Sequence, residues 1–156
     1  MPDRQFNPFQ TIDINVPVEF HESFQRYCRR GAGSALDRSP FPRMIDLWFL
    51  ALCVAVRLNL EPVERSDVKT WKMIDGTIFS SDPWRIHALM LIAVGCTQDV
   101  SVVAEPRRVM TLANGLAIAG LPRVLEMLQD GGGEPIWNLS EAIDGLLDGA
   151  SVTGDS

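Results

Sequence analysis

The stretch from Met44 to Leu58 constrains the fold of this chain more than any other feature. Only Asp46 and Arg57 are charged within it, and all the other residues are apolar. A helix that is apolar on every side is a core helix, a membrane span or an assembly interface. Fifteen residues at 1.5 Å each give about 22 Å, which is short of the roughly 30 Å hydrocarbon layer of a bilayer. We therefore predict a central core helix at about 42–58 and no membrane association.

The residues that flank this stretch alternate between strand and helix patterns. Apolar and polar residues alternate over about 11–16, which predicts a short, half-buried β-strand that ends at Pro17. The apolar spacing over 18–31 predicts a helix. Residues 66–74 are expected to form a further short helix, because Ser66 and Asp67 are suited to cap its start.

The C-terminal half carries clear signals for helix starts. Asp82-Pro83 and Glu105-Pro106 each place an acidic residue before a proline, and proline is well tolerated at the first helical position. The second of these helices is expected to kink or break at 120–122, where glycine and proline occur together. A short helix is predicted over 140–147. The predicted fold class is mainly α: a compact domain of five to six helices around the central apolar helix, with one short N-terminal β-strand.

The length of 156 residues is typical of one domain. We predict a flexible arm over 1–10, the helical domain over 11–130, a glycine-linked C-terminal docking segment over 131–150 and a disordered tail over 151–156. The three cysteines are scattered, and two of them lie within apolar runs, where a reduced thiol behaves as a small hydrophobic group. Because no signal peptide is recognised, we expect the reducing cytoplasm as the compartment.

Charge is distributed unevenly along the chain. The net charge is −6, and residues 126–156 carry seven acids and no base. A basic segment near the N-terminus contains five candidate arginines, whose guanidinium groups could bind nucleic-acid phosphates or the carboxylates of a protein partner. They are Arg26, Arg29, Arg30, Arg38 and Arg43. The first three are expected to share one helix face, and the alternative to binding is a solvated or internally neutralised face.

The sequence contains no pattern typical of a catalytic or metal site. Catalysis by Ser or Cys needs a nearby base, and neither His21 nor His87 has partners at a spacing that predicts a triad. Asp75, Asp82 and Asp99 are interpreted as turn formers and caps rather than metal ligands. The glycine-rich segments lack the register and the lysine of a phosphate-binding loop. We predict no catalytic residue, no metal and no cofactor.

The four tryptophans divide by position. Trp48 and Trp84 lie within predicted helices and are interpreted as core residues. Trp71 and Trp137 lie near predicted loops, where core packing is one interpretation. The other interpretation is that they anchor a protein interface, because buried aromatic residues dominate interface hot spots.

One pattern suggests a family. Residues 41–52 (FPRMIDLWFLAL) lead into a helix pair, and residues 113–116 (ANGL) precede a final apolar helix that includes 124–128. This arrangement resembles small helical proteins encoded beside bacterial DNA phosphorothioation (Dnd) systems and related anti-phage loci. It is similar, more loosely, to ribbon-helix-helix DNA binders, although Asp13 would then face the DNA phosphates unfavourably. The resemblance implies an accessory role in defence against foreign DNA inside a larger complex.

Three functional hypotheses follow from the sequence. The first is a non-enzymatic interaction subunit of a bacterial anti-phage defence or DNA-modification complex, with protein subunits as partners and a homo-oligomer as an open alternative. The second is a small nucleic-acid-binding module that contacts DNA through the basic N-terminal segment. The third, ranked last, is a small enzyme that uses His87 or a carboxylate cluster.

Overall fold

The computed structural model describes residues 6–29, 37–64 and 67–149, in which the chain forms five α-helices and one two-stranded antiparallel sheet. The strands are β1 (Asp13–Pro17) and β2 (Thr70–Asp75). The helices are α1 (His21–Tyr27), α2 (Met44–Arg57), α3 (Pro83–Thr97), α4 (Pro106–Gln129) and α5 (Pro135–Asp148). The prediction of a mainly α fold with a short N-terminal strand is confirmed.

Helices α2 and α4 pack closely against each other. A Cβ atom on Gly120 of α4 would overlap the carbonyl oxygen of Ala51, so only glycine allows the two backbones to approach this closely. Gly115 lies against Val63, which follows the end of α2, and α4 therefore runs antiparallel to α2. Seven residues of α2 are buried, as against ten of α4, and Cys53 on the outer side of α2 is exposed. The single central helix of the prediction is not confirmed, because the core is shared by this pair.

Helix α4 is continuous through Pro122, so of the predicted kink or break at 120–122 the break is wrong. Proline removes one backbone donor, and the carbonyl of Ile118, four residues earlier, loses its helical partner. Pro122 is exposed and lines a surface cleft together with Ile118, where water can replace that donor. The neighbouring Leu121 and Val124 are fully buried on the opposite side and hold the helix against the core.

Strand β2 is the main element that the sequence pattern misassigns. The short helix predicted over 66–74 is wrong, because residues 70–75 pair with β1. Val16 lies opposite Trp71 and Ile14 lies opposite Ile74, with a bulge that leaves Met73 as the extra residue. A pairing across more than fifty residues leaves no local signature, whereas the capping residues at 66 and 67 give a local helix signal.

A polar bridge of side-chain hydrogen bonds joins the sheet to helices α2 and α4. The indole Nε1 of Trp48 donates a hydrogen bond to Asn114 Oδ1 (3.0 Å), and Asn114 Nδ2 donates to the carbonyl oxygen of Asn15 in β1 (2.7 Å). Trp48 is fully buried, which confirms its interpretation as a core residue. The bridge gives the buried indole nitrogen a partner, and it also gives a carbonyl of β1 a donor.

The residues before β1 are part of the core. Phe9 is fully buried, and its ring centroid lies 5.7 Å from that of Phe79 in an edge-to-face contact. Asn7 Nδ2 donates hydrogen bonds to the carbonyl oxygen of Gly76 and to Ser80 Oγ, both at 2.9 Å. The structure therefore differs from the predicted flexible arm over 1–10 at its C-terminal end, while residues 1–5 lie outside the described part.

Helix α5 is longer than the predicted 140–147, because it begins at Pro135. The backbone N–H of Ile136 donates to Asp37 O (3.1 Å), and Arg57 at the end of α2 donates to Leu146 O (3.0 Å). The C-terminal ends of α2 and α5 therefore lie close together. Its one buried residue, Asn138, donates to Leu128 O (3.1 Å) and to a carbonyl of the glycine-rich loop. The predicted tail, 151–156, lies outside the described residues.

Candidate interaction surface

Three of the predicted arginines follow or end the first helix. Helix α1 ends at Tyr27, so Arg29 lies beyond it and does not share a helix face with Arg26. Both side chains are exposed, and the Arg26 guanidinium lies 5.4 Å from the centre of the Tyr27 ring. Arg30 lies outside the described residues. Arg26 and Arg29 therefore do not lie on a common helix face, as was expected of them together with Arg30.

The other two predicted arginines contact carboxylates of this chain. Arg38 Nε lies 3.9 Å from Glu134 Oε2, and both side chains are largely exposed. Arg43 Nη2 lies 2.9 Å from Asp82 Oδ2 and 3.4 Å from Asp46 Oδ1. Partial burial acts to lower the pKa of Arg43, but its hydrogen bonds to these two carboxylates outweigh that effect and raise the pKa above its ordinary value. Arg43 is thus paired within the chain, whereas the contact of Arg38 is long and exposed to solvent.

Arg43 belongs to an ion-pair cluster built around Arg85, a buried residue that the sequence reading did not single out. The Arg85 side chain is only 8% exposed, and its Nη2 lies 2.6 Å from Asp46 Oδ1. Its Nε lies 3.4 Å from Asp82 Oδ2, a contact that lacks hydrogen-bond geometry. A buried cation is stable only when it is paired, and here two carboxylates supply the pairing. Asp46, the single acid of an apolar helix, was the one signal in the sequence.

Two aromatic rings cover the Arg85 guanidinium from the solvent side. Its Cζ atom lies 4.8 Å from the centre of the Phe49 ring and 4.7 Å from that of Trp84. The two rings contact each other edge to face at 5.3 Å. Trp84 is nonetheless 56% exposed, so its interpretation as a core residue is wrong. Because Asp82 is engaged with two arginines, its side chain does not cap α3, contrary to the role expected for it.

Trp84 begins an apolar surface that spans the outer sides of two helices. We define the α2–α3 surface by three residues of α2 and three of α3, each with partial or full exposure: Phe49, Cys53, Val56, Trp84, Leu91 and Gly95. Leu91 is 73% exposed and Val56 is 42% exposed. The three α3 residues are spaced by seven and four positions, which places them on one side of the helix. Surface helices normally present polar residues on that side.

The α2–α3 surface contains almost no charge. Over residues 44–57 and 83–97, all of which are described, Arg57 is the only charged side chain that is exposed. Its Nη2 donates to a carbonyl of α5, and Asp46 and Arg85 neutralise each other beneath Trp84. The burial of Arg85 under its ring pair is what leaves the beginning of α3 without an exposed charge. Contiguous exposed apolar patches of this kind mark interaction sites.

A cleft of about 720 Å³ opens at one end of this surface, between α2, α3 and α4. Val56 and Leu91 belong to both features, which makes the cleft continuous with the α2–α3 surface. Its walls are mainly aliphatic (Leu60, Ile92, Leu112 and Leu116), and the exposed Glu61 is the charged residue of the lining. Gly95 borders the cleft, and a Cβ atom placed there would meet no atom within 4 Å. The cleft therefore offers room for an apolar side chain of a partner.

The two tryptophans that were predicted to anchor an interface lie elsewhere. Trp71 is half-buried in β2, where its ring contacts His21 edge to face at 4.6 Å and Phe24 at 5.9 Å. Among the described residues its Nε1 has no hydrogen-bond partner. Trp137 projects from α5 and is 65% exposed. Neither lies on the α2–α3 surface as defined, and Trp137 is the more accessible of the two.

The carboxylates considered as metal ligands have local roles. Asp75 Oδ1 accepts a hydrogen bond from Thr77 N, and Asp99 Oδ1 accepts one from Ser101 N, both at 3.0 Å. Their interpretation as turn formers and caps is confirmed. Hydrogen bonds from the hydroxyl group and the backbone N–H of Thr77 lower the pKa of Asp75, and those from Ser101 lower the pKa of Asp99. Over 6–29, 37–64 and 67–149, no group of three or more His, Cys, Asp or Glu residues is placed to hold a metal.

The cysteines differ in environment. Cys28 is buried, and this burial, together with the nearby Asp46 charge, raises its thiol pKa to about 12. Cys53 and Cys96, which lie within apolar runs of the sequence, are both exposed. Cys53 lies on the α2–α3 surface and Cys96 lines the adjoining cleft.

Comparison with known proteins assigns no family, since no protein-family model, curated protein or solved structure matches the chain. Among the helices that the structure describes, none is both long and apolar enough to cross a membrane.

Proposed function

We propose that this chain is a non-catalytic interaction module that associates with protein through the α2–α3 surface. The observation that supports this most directly is the pairing of exposed apolar side chains with an almost complete absence of exposed charge over two adjacent helices. A solvent-facing helix gains nothing from an exposed leucine and tryptophan, whereas a helix that docks onto protein buries them.

The exposed apolar side chains supply part of the free energy that association requires. Full burial of a large apolar side chain contributes about 1.5–3 kcal/mol. Scaled by the exposed fractions of Trp84 (56%), Leu91 (73%) and Val56 (42%), their burial would contribute about 3–5 kcal/mol in total. Association also costs translational and side-chain entropy, so the surrounding cleft and the remaining surface residues must contribute as well. Trp137 is a second candidate anchor on another face.

The setting of this module is proposed from the sequence alone. The resemblance to proteins encoded beside DNA phosphorothioation and anti-phage loci supports a bacterial defence or DNA-modification complex as the assembly in which it works. In that setting the chain would act in the cytoplasm as an accessory subunit.

A nucleic-acid-binding module is the second candidate function. It is favoured by Arg26 and Arg29, which are exposed and for which no ion pair is found within the described residues. It is disfavoured by the net charge of −6 and by the internal pairing of Arg38 and Arg43. Its signature is an affinity for DNA that falls steeply with salt and falls again when Arg26 and Arg29 are changed to Gln.

Photo-crosslinking in the native host tests the leading proposal. A photoreactive phenylalanine analogue is introduced at Leu91 on the α2–α3 surface, and at the exposed Arg123 of α4 as a control position. We expect a crosslinked species of higher mass from position 91, and a lower yield of crosslinked species from position 123. If position 91 yields only uncrosslinked chain while the protein is folded and expressed, the α2–α3 surface is not an interaction site and the proposal fails.

A further inference from the structure

We propose that the occupant of the α2–α3 surface is a second copy of this chain, related to the first by a two-fold axis near Ala88 of α3. In this arrangement the exposed side of Trp84 in each copy packs over the cleft of the other. The inference rests on the proposed interaction function, and it adds the identity of the partner and the geometry of its contact.

The first argument is that a projecting group and a cleft occur on the same helix. Trp84 lies at the start of α3, and Leu91, Ile92 and Gly95, seven to eleven positions later, line the cleft. At 1.5 Å per residue the two features are about 10–17 Å apart. When two copies of α3 cross antiparallel at Ala88, residue 84 of one lies opposite residue 92 of the other. The face is then complementary to itself, as a two-fold interface requires.

The second argument concerns Gly95. Glycine in a helix interior costs up to about 1 kcal/mol relative to alanine, and none of the described residues requires glycine at that position, because a Cβ there would meet no atom within 4 Å. This contrasts with Gly120, where the neighbouring helix leaves no room for a side chain. The missing side chain at 95 keeps the α3 side of the cleft open to a group from a second chain.

The third argument is the distribution of charge. Two chains of net charge −6 repel each other, and they approach most easily through a face without net negative charge. The α2–α3 surface is such a face, since the six residues that define it carry no charge, and the exposed charges beside it, Arg57 and the cleft residue Glu61, are opposite in sign. The acidic region of the described chain lies on another helix, where Glu141, Asp144 and Asp148 are exposed on α5. A second copy can therefore bind this face without placing the acidic helix α5 at the centre of the interface.

The area sets the strength of the expected dimer. Helix α3 has 15 residues and is about 22 Å long, and two helices side by side are about 20 Å wide. The footprint is then roughly 450 Å² per copy, below the roughly 800 Å² of a standard stable interface. We therefore expect a weak dimer whose population depends on protein concentration.

Sedimentation equilibrium of the purified full chain, from low to high micromolar concentration, tests this proposal. Leu91→Gln keeps a good helix former while removing two leucines from each dimer, and the dissociation constant should rise at least about 30-fold. Leu147→Gln on α5 is the matched control, because Leu147 is also an exposed leucine, at 61%. It should leave the dissociation constant unchanged.

A second variant separates dimerisation from folding. Gly95→Gln places a side chain in the cleft entrance while improving helix propensity, so the isolated fold should be as stable as the parent or more stable, and the dimer weaker. Gly145→Gln is its control on α5, where a Cβ also meets no atom within 4 Å. Thermal unfolding measured at a concentration where the parent is monomeric checks that both variants fold.

The outcomes separate this inference from the function beneath it. A chain that stays monomeric over the whole concentration range overturns the second-copy proposal, and so does a dimer that neither Leu91→Gln nor Gly95→Gln weakens. If the chain is monomeric but position 91 still crosslinks in the host to a protein of different mass, the interaction function stands with another partner. If position 91 gives no crosslink and the chain is monomeric, both proposals fail.

Discussion

Removal of the charge on Asp46 is expected to destabilise this fold strongly, because Asp46 is the closest counter-ion of the buried Arg85. In Asp46→Asn the side chain keeps its shape and can still accept from the backbone N–H of Arg43, a bond of 3.0 Å in the parent. What is lost is the negative charge together with the Oδ1 acceptor that lies 2.6 Å from the Arg85 Nη2 atom. The variant therefore separates the charged hydrogen bond to Arg85 from the capping contribution.

The magnitude follows from the remaining neighbours of Arg85. Breaking a buried ion pair by removing one partner costs about 3–5 kcal/mol, since an uncompensated charge stays buried. Here the Asp82 carboxylate remains 3.4 Å from Arg85 Nε and still compensates part of its charge. We therefore expect a smaller loss, of about 2–3 kcal/mol in the free energy of unfolding. Arg85→Met, which keeps the apolar contact with the two rings, should cancel much of that loss when it is combined with Asp46→Asn.

Urea unfolding of the parent, both single variants and the double variant at neutral pH gives the required cycle. The coupling between the two sites should exceed about 1 kcal/mol, beyond the few tenths expected for independent sites. Glu134→Gln is the control, because its ion pair with Arg38 is long and exposed and should contribute no more than about 0.5 kcal/mol. Additive effects, or a cost for Asp46→Asn no larger than that of the control, would refute the argument that Arg85 depends on Asp46.

Three further predictions concern other parts of the molecule. Gly120→Ala should lower the free energy of unfolding by about 2 kcal/mol or more despite its better helix propensity, because the new methyl overlaps the Ala51 carbonyl; a neutral or stabilising result in urea would contradict the close approach of α2 and α4. Cys28 should react with an aromatic disulfide reagent only after unfolding, whereas the other two thiols react in the native protein, as counted by absorbance; three fast thiols would be inconsistent with its burial. Hydrogen bonds from the hydroxyl and the backbone N–H of Ser101 hold the pKa of Asp99 below 3.8 in the folded protein. The ionised carboxyl therefore stabilises the fold fully above pH 3.8, and this contribution is lost as the pH falls through the lower folded-state pKa. Asp99→Asn should therefore lose less stability than the parent in that acid range, measured as the urea midpoint against pH, and identical acid profiles would show that this cap does not contribute.

Elements with a local chemical cause could be predicted from the sequence, and β2 could not. The starts of α3 and α4 follow from Pro83 and Pro106, since proline suits the first helical position wherever it occurs. Strand β1 follows from a period-two pattern over a short run. Strand β2 exists because Trp71 and its neighbours pair with β1 more than fifty residues away, and no pattern within 66–75 records that pairing.

The candidate site was harder to predict, because its main features depend on neighbours distant in sequence. An arginine within an apolar helix gives no sign of burial until Asp46, 39 positions earlier, is placed beside it. The exposure of Trp84 likewise depends on Phe49 and Arg85 supporting one side of its ring. The arginines named from the sequence were chosen by their clustering along the chain, but Arg43 is committed to carboxylates that the same clustering could not reveal.

The close packing of α2 on α4 has a consequence for synthesis of the chain. Gln129, the last residue of α4, follows Arg57, the last residue of α2, by 72 positions. At about 5–20 residues per second a ribosome needs roughly 4–14 s to complete α4 after it has completed α2. During that interval the most apolar helix of the protein has emerged or is emerging without the partner that covers it. The growing chain therefore offers α2 to chaperones that bind apolar segments, and a delay in translation between residues 58 and 129 lengthens the period in which it can aggregate.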